Sequence, residues 1–211
     1  MSLRHLITTF LCLLLAVPAA AQTFRASVLG GANLSQVDGD MLFGFNRIGA
    51  NAGLRVVAVL SERWRVGPEI LLSQQGARQT KDSFNISPFQ RINFSTLEVP
   101  LMVYYKDWRI TAEAGVSYQR VIDSEIINGR GVDITADNPF NENLFAIKFG
   151  VTLYVTKNLG VNFRWSKHLA NIAEFDPRLS EITTFRGRTI SLRAVYTFGQ
   201  GEILPQRPVT E

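Results

Sequence analysis

The 211-residue chain is 46% hydrophobic and 19% charged, with a formal net charge of +4, two histidines and one cysteine. Its basic excess is spread without a Lys/Arg run, which speaks against a nucleic-acid-binding surface, and a single cysteine excludes a disulfide framework or a cysteine-based metal site. After residue 21 no apolar stretch is long enough for a membrane-spanning helix, which needs about 20 residues.

Residues 1–21 read as a secretory signal peptide. Arg4 and His5 form a short positive start, Leu6 to Val17 is apolar, and Pro18-Ala19-Ala20-Ala21 supplies the small residues of an A-x-A cleavage site. Cys12 lies in the apolar run and leaves with it, as does Arg4, so the mature charge is +3.

From Phe24 onward, eight segments alternate apolar and polar residues with the period of two that puts successive side chains on opposite faces of a strand. The first sets Phe24, Ala26, Val28, Gly30 and Ala32 against Arg25, Ser27 and Asn33. In the second, Ile48, Ala50, Ala52, Leu54, Val56, Ala58 and Leu60 oppose Arg47, Asn51 and Arg55. Trp64, Val66, Pro68, Ile70 and Leu72 oppose Arg65, Glu69, Ser73 and Gln75 in the third. The fourth places Leu97, Val99, Leu101, Val103 and Tyr105 opposite Glu98 and Tyr104.

The pattern continues through the second half. Trp108, Ile110, Ala112, Ala114, Val116 and Tyr118 oppose Arg109, Thr111, Glu113, Ser117 and Gln119. Phe145, Ile147, Phe149, Val151, Leu153 and Val155 then oppose Lys148, Thr152 and Tyr154. The seventh segment has Leu159, Val161, Phe163 and Trp165 against Asn162, Arg164, Ser166 and His168; the eighth has Ile190, Leu192, Ala194, Tyr196 and Phe198 against Thr189, Ser191, Arg193 and Thr197. Each apolar face runs for about ten residues, enough for a tilted strand to cross the hydrocarbon layer.

The links alternate in length. Ser61 to Arg63, Lys106-Asp107 and Thr156 to Asn158 are tight turns, whereas 34–46, 77–91, 121–143 and 169–187 are long and polar. Short turns on one side and long loops on the other mark an outer-membrane barrel. The expected fold is therefore all-β: an eight-stranded antiparallel up-and-down transmembrane barrel of OmpA/OmpX-like size over residues 22–198, with 199–211 as a short periplasmic tail. An even strand number returns both termini to the short-turn, periplasmic side. Pro68 and Pro100 are expected near a bulge or in the periplasmic third of their strands.

Alternation alone leaves open which face meets lipid. Aromatic placement favours the apolar face, because Trp64, Tyr104, Tyr105, Trp108, Tyr154, Tyr196 and Phe198 cluster beside the short turns as an interfacial girdle does. Phe198 after Tyr196 also looks like the aromatic signal read by the outer-membrane insertion machinery.

Several segments together resemble a known family. Gly30-Gly31-Ala32-Asn33-Leu34-Ser35 is similar to the G-G-x-N-x-S element of PorT-like outer-membrane barrels of Bacteroidota. Pro68-Glu69-Ile70-Leu71-Leu72-Ser73-Gln74-Gln75-Gly76 resembles their P-E-L-x-Y-S-x-x-G strand, Leu97-Glu98-Val99-Pro100-Leu101 their L-E-I-P-L strand, and Ala112-Glu113-Ala114-Gly115 the region that follows. The resemblance implies an outer-membrane barrel and a possible part in type IX-like protein secretion.

The candidate chemistry lies on the polar face. Arg55, Arg65, Arg109, Lys148, Arg164 and Arg193 share an interior with Glu69, Glu98 and Glu113, which is expected to form a structural ion-pair network because an unpaired buried charge costs several kcal/mol. A narrow anion-preferring channel is the alternative use of the same residues. Glu98 and Glu113 are not expected to act as an acid/base pair, since neighbouring cations keep both ionised. Ser166 and His168 share a face, but without an acidic partner they make a weak case for a lipid hydrolase. No metal or cofactor is expected. The anticipated partners are outer-membrane lipid, the insertion machinery, and envelope or secretion proteins met through loop aromatics such as Phe43, Phe45, Phe84, Phe89, Phe140 and Phe175.

Overall fold

The computed structural model describes residues 23–39, 44–79, 89–173, 185–199 and 202. The signal segment and most of the tail, with Phe43, Phe84 and Phe175, lie outside the described residues. Eight strands follow in order: β1 (Phe24–Asp38), β2 (Arg47–Val59), β3 (Trp64–Arg78), β4 (Phe89–Asp107), β5 (Ile110–Asn128), β6 (Asn143–Tyr154), β7 (Leu159–His168) and β8 (Arg186–Thr197). Each pairs antiparallel with the next, and β1 pairs with β8 to close the barrel. Closure leaves no sheet edge, which is why a β-structure can sit in lipid with its backbone groups satisfied.

The barrel is polar inside and apolar outside. Ile48, Leu54, Leu101, Phe163 and Leu192 are each more than half exposed on the outer wall, whereas Glu69, Glu98, Arg164 and Arg193 each retain 1% exposure. Fully burying one large apolar side chain is worth roughly 1.5–3 kcal/mol, so such a wall is stable against acyl chains and not against water.

Two short turns share one device. Between β2 and β3, Ser61 Oγ accepts from the amides of Arg63 (3.4 Å) and Trp64 (3.0 Å); between β6 and β7, Thr156 Oγ1 accepts from Asn158 (3.4 Å) and Leu159 (3.0 Å). A hydroxyl at the first turn position substitutes for the ladder where the chain reverses.

The third short turn falls two residues later than the sequence suggests. Strands β4 and β5 stay paired through Lys106↔Thr111 and Asp107↔Ile110, so the turn is Trp108-Arg109. Extending the ladder pairs more backbone and turns Lys106 inward. Trp108 then adopts φ 48, a left-handed backbone that bulky residues rarely take.

Strands β4 and β5 are each 19 residues long, about twice what a span requires, so they project beyond the membrane at the long-loop end. A register shift between Ser95 and Thr96 leaves Ile122 unpaired and outward. Pro68 and Pro100 interrupt the ladder without changing its register; the shifts lie elsewhere, in the β4–β5 pair. Beyond the bulge, Ile126 joins Val37, Phe89, Ile92, Phe94, Leu144, Ile172 and Phe185 in a buried apolar cluster at the long-loop end. Phe89 is therefore packed inward (1% exposed) and Phe140 rests against the same cluster, so neither stands free as a contact anchor.

Candidate functional site

The interior is organised in tiers along the barrel axis. In the middle tier Glu69 sits on β3 beside its register partner Arg55 on β2. Its carboxylate accepts from Arg55 Nε at 2.8 Å, from Tyr104 Oη at 2.7 Å, and from Arg164 through two parallel bonds of 2.6 and 2.9 Å. This bidentate fork is the geometry for which a planar guanidinium is suited. Glu113 accepts from Arg164 Nε at 2.6 Å, Asn162 Nδ2 at 2.9 Å and Arg55 Nη2 at 3.3 Å.

Gly150 of β6 makes that arrangement possible. It pairs with Glu113 on one side and Arg164 on the other. A Cβ there would stand 2.6 Å from Glu113 Oε1 and 2.7 Å from the Phe163 carbonyl. The missing side chain lets two residues from non-adjacent strands meet across it.

Three guanidiniums (Arg55, Arg164, Arg193) face two carboxylates here, a surplus of one positive charge. Arg193 absorbs it by turning to neutral acceptors: Nε and Nη2 donate to Asn162 Oδ1 at 3.0 and 2.5 Å, and Nη1 to Asn51 Oδ1 at 3.5 Å. Its distances to Glu69 and Glu113 are longer, 4.0 and 3.7 Å. Arg55 also lies over the Tyr104 ring at 4.6 Å.

Nearer the long loops, Glu98 pairs with Lys148 Nζ at 2.6 Å and accepts from Gln75 Nε2 at 2.8 Å. His168 is held between Gln119 Oε1 (2.9 Å) and the Gly187 carbonyl (3.1 Å). Ser166 is buried and lies cross-strand from Lys148 and Thr189. Glu98 and Glu113 each have their own cations and share none, which removes the geometry of an acid/base pair. Among the described residues, no cluster of His, Cys, Asp and Glu could hold a metal ion.

At the short-turn end a third group forms. Arg25, Arg65 and Lys106 surround the carboxylate of Glu202, which lies beyond the last strand but is only 1% exposed. Burial pushes this carboxyl up, but the Arg65 charge and hydrogen bonds from Lys106 and Arg65 outweigh it and hold the group down at about 2.

The structure thus brings eight of the nine expected interior charges into the lumen: Arg55, Arg65, Glu69, Glu98, Glu113, Lys148, Arg164 and Arg193. Arg109 is the exception. It occupies the β4–β5 turn, donates to the Val155 carbonyl at 3.3 Å and lies 5.5 Å from the Trp108 ring centre. Its inward parity is lost because the chain reverses at this residue.

The aromatic group also needs correction. Trp64, Trp108, Tyr196 and Phe198 are 39–51% exposed at the short-turn end, and Tyr105 meets Trp64 edge-on at 5.0 Å. Tyr104 and Tyr154, however, are buried in the lumen at 2% and 3% exposure. Their depth resembles that of a girdle residue, but their parity governs. Lys106 and Glu202 are interior partners that the sequence reading missed; Asn51 and Asn162, placed on the polar face by parity, are buried there as the acceptors of Arg193.

A closed antiparallel barrel with an apolar wall, a polar interior and long loops at one end is an integral outer-membrane protein. The chain belongs to the outer membrane protein beta-barrel domain family, whose profile matches residues 7–198. Solved structures similar to it include Ail, the attachment invasion locus protein of Yersinia pestis, at 13% identity and a TM-score of 0.47, covering 83% of this chain and 99% of Ail. Neisserial surface protein A follows at 10% and 0.45, covering 83% and 97%, and OprG from Pseudomonas aeruginosa at 12% and 0.38, covering 83% and 94%. No curated protein matches the chain.

Proposed function

We propose that this chain is a non-enzymatic structural or accessory component of the outer envelope, acting through its surfaces in an assembly such as a type IX-like secretion apparatus. The observation that carries the reading is the filled lumen: Arg55, Glu69, Tyr104, Glu113, Arg164 and Arg193 interlock across the middle of the barrel. A protein whose interior is closed by its own ion pairs has its loops, wall and turn-side face left for contact. An eight-stranded barrel is just wide enough for side chains to fill it, which weighs against the anion-preferring channel. Burial of Ser166 and His168 within the lumen weighs against a lipid hydrolase, whose catalytic groups must reach lipid at the rim.

The same reading includes export on a signal peptide cleaved after Ala21, insertion by machinery that reads the Tyr196–Phe198 end, and periplasmic termini. The PorT-like motifs support the secretion role. Crosslinking in intact cells, followed by identification of attached proteins, tests it. Envelope or secretion proteins attached through the loops or the short-turn face are the expected result; recovery of the barrel alone would overturn the proposal. Planar-bilayer recordings of the folded protein should show no ion conductance, and steady anion current would favour the channel instead.

A further inference from the structure

The outer wall is not evenly covered. On β5, Ala112 and Ala114 face outward and are exposed, and a groove of about 590 Å³ lies over them. Tyr105 and Val103 of β4 stand in register on one side, Val151 and Phe149 of β6 on the other. Two ring pairs form the rims. Trp64 meets Tyr105 edge-on at 5.0 Å, and Phe149 stacks with Trp165 at 6.3 Å. Rings braced against each other stay clear of the alanines, so the trough is preformed.

One end of the trough is charged. Beyond Ala112 the outward Ile110 pairs with Leu153, and the chain reaches Arg109 in the β4–β5 turn, about 10 Å from Ala112 along the strand. Arg109 Nη1 donates to the Val155 carbonyl at 3.3 Å. Its Nε is buried without a hydrogen-bond partner, and no carboxylate pairs with it among the described residues. On the other flank Arg63 donates to Tyr105 Oη at 3.2 Å, but its charge is met by Asp107 at 3.3 Å. Arg109 therefore keeps its positive charge at the depth of Trp64 and Trp108, where headgroups lie.

Apolar contact alone selects nothing in a membrane, because lipid tails are as apolar as the wall. Selection comes from close packing along a preformed trough and from the charge at its end. A narrow apolar channel closing on an arginine fits an amphiphile with one anionic head. A second barrel would present a convex wall, which meets the aromatic rims and leaves the alanine floor empty. We propose that this groove binds one phospholipid of the leaflet at the short-turn end, with an acyl chain along Ala112 and Ala114 and its phosphate on Arg109. The site needs only a lipid-facing wall and is independent of the accessory role above.

The test uses the full chain in detergent micelles, incubated with dioleoyl-phosphatidylglycerol or with dioleoylglycerol, which lacks the phosphate; native mass spectrometry counts the lipids retained per chain. Wild type should retain one phosphatidylglycerol in preference to dioleoylglycerol. Ala114→Leu fills the floor and should weaken retention at least about 10-fold, as loss of the packed chain requires. Ala52→Leu, on the β2 wall outside the groove, should leave it unchanged. One arginine beside anionic headgroups is worth about a 5-fold preference, so Arg109→Gln should lose about that much and no longer distinguish the two lipids. Equal retention by Ala114→Leu and Ala52→Leu, or equal retention of the two lipids by wild type, overturns the proposal. So does a protein dimer that Ala114→Leu dissociates, which would make the groove a contact between copies. Should Ala114→Leu not fold, bromine-labelled phosphatidylglycerol titrated into the wild-type chain serves instead. It should quench tryptophan emission with saturation at one equivalent, and quenching that rises without saturating overturns the proposal.

Discussion

Replacing Arg164 by Met removes the side chain that joins both central carboxylates. Three charge-assisted bonds go with it, at 2.6 Å to Glu113 and at 2.6 and 2.9 Å to Glu69. Removing one member of a buried pair typically costs about 3–5 kcal/mol, because the remaining charge is left in a poorly solvated place. Neither carboxylate is orphaned: Glu69 keeps Arg55 and Tyr104, and Glu113 keeps Asn162 and the longer Arg55 contact. The expected loss is therefore near the lower end, about 3 kcal/mol. With a denaturant slope of roughly 2 kcal/mol per M, urea unfolding in lipid vesicles should shift its midpoint by about 1.5 M. Arg120→Met is the control, since the Arg120–Glu142 pair (2.7 Å) is exposed at the long-loop end and should cost about 0.5 kcal/mol or less. If Arg164→Met costs under about 1 kcal/mol, the interior is not organised by buried ion pairing, and the reasoning fails.

Gly150→Ala should destabilise the barrel by about 1–3 kcal/mol by overpacking, since its Cβ would lie 2.6 Å from Glu113 Oε1; the same unfolding assay reads it. Leu54→Arg puts a charge on the outer wall, where Leu54 is 58% exposed, and should cost about 2–4 kcal/mol near the bilayer midplane. A neutral effect there would mean that this face does not meet lipid. Glu202 gives a pH dependence: its folded-state carboxyl lies at about 2 against an ordinary 4.5. A depressed carboxyl contributes stability that is fully present above about pH 4.5 and is lost as pH falls toward 2. The difference in stability between wild type and Glu202→Gln should therefore shrink across that window, and a constant difference would refute the ion-pairing of Glu202.

Strand identity, strand order and the inward set were readable in the chain because a strand repeats every two residues. Arg55, Glu69, Glu98, Glu113, Lys148, Arg164 and Arg193 could each be assigned a face without knowing any neighbour. Parity fails where the backbone departs from the period. The unpaired Ile122 reverses it within β5, so Ile126 points inward with an even number while Ala112 and Ala114 point outward. The β4–β5 turn moves Arg109 out of the set and Lys106 into it. Tyr104 and Tyr154 carried two conflicting signals, a girdle residue's depth and a lumen residue's face, and enclosure by the closed barrel resolved them.

Local alternation thus dictates which way each side chain points and that the wall is greasy. It says nothing about which inward residues meet, because those contacts cross strands far apart in the chain: Arg164 reaches Glu69 across 95 positions, and Arg65 reaches Glu202 across 137. Such meetings depend on register, on the gap at Gly150 and on where the chain turns after β8. These become definite only when the sheet closes on itself.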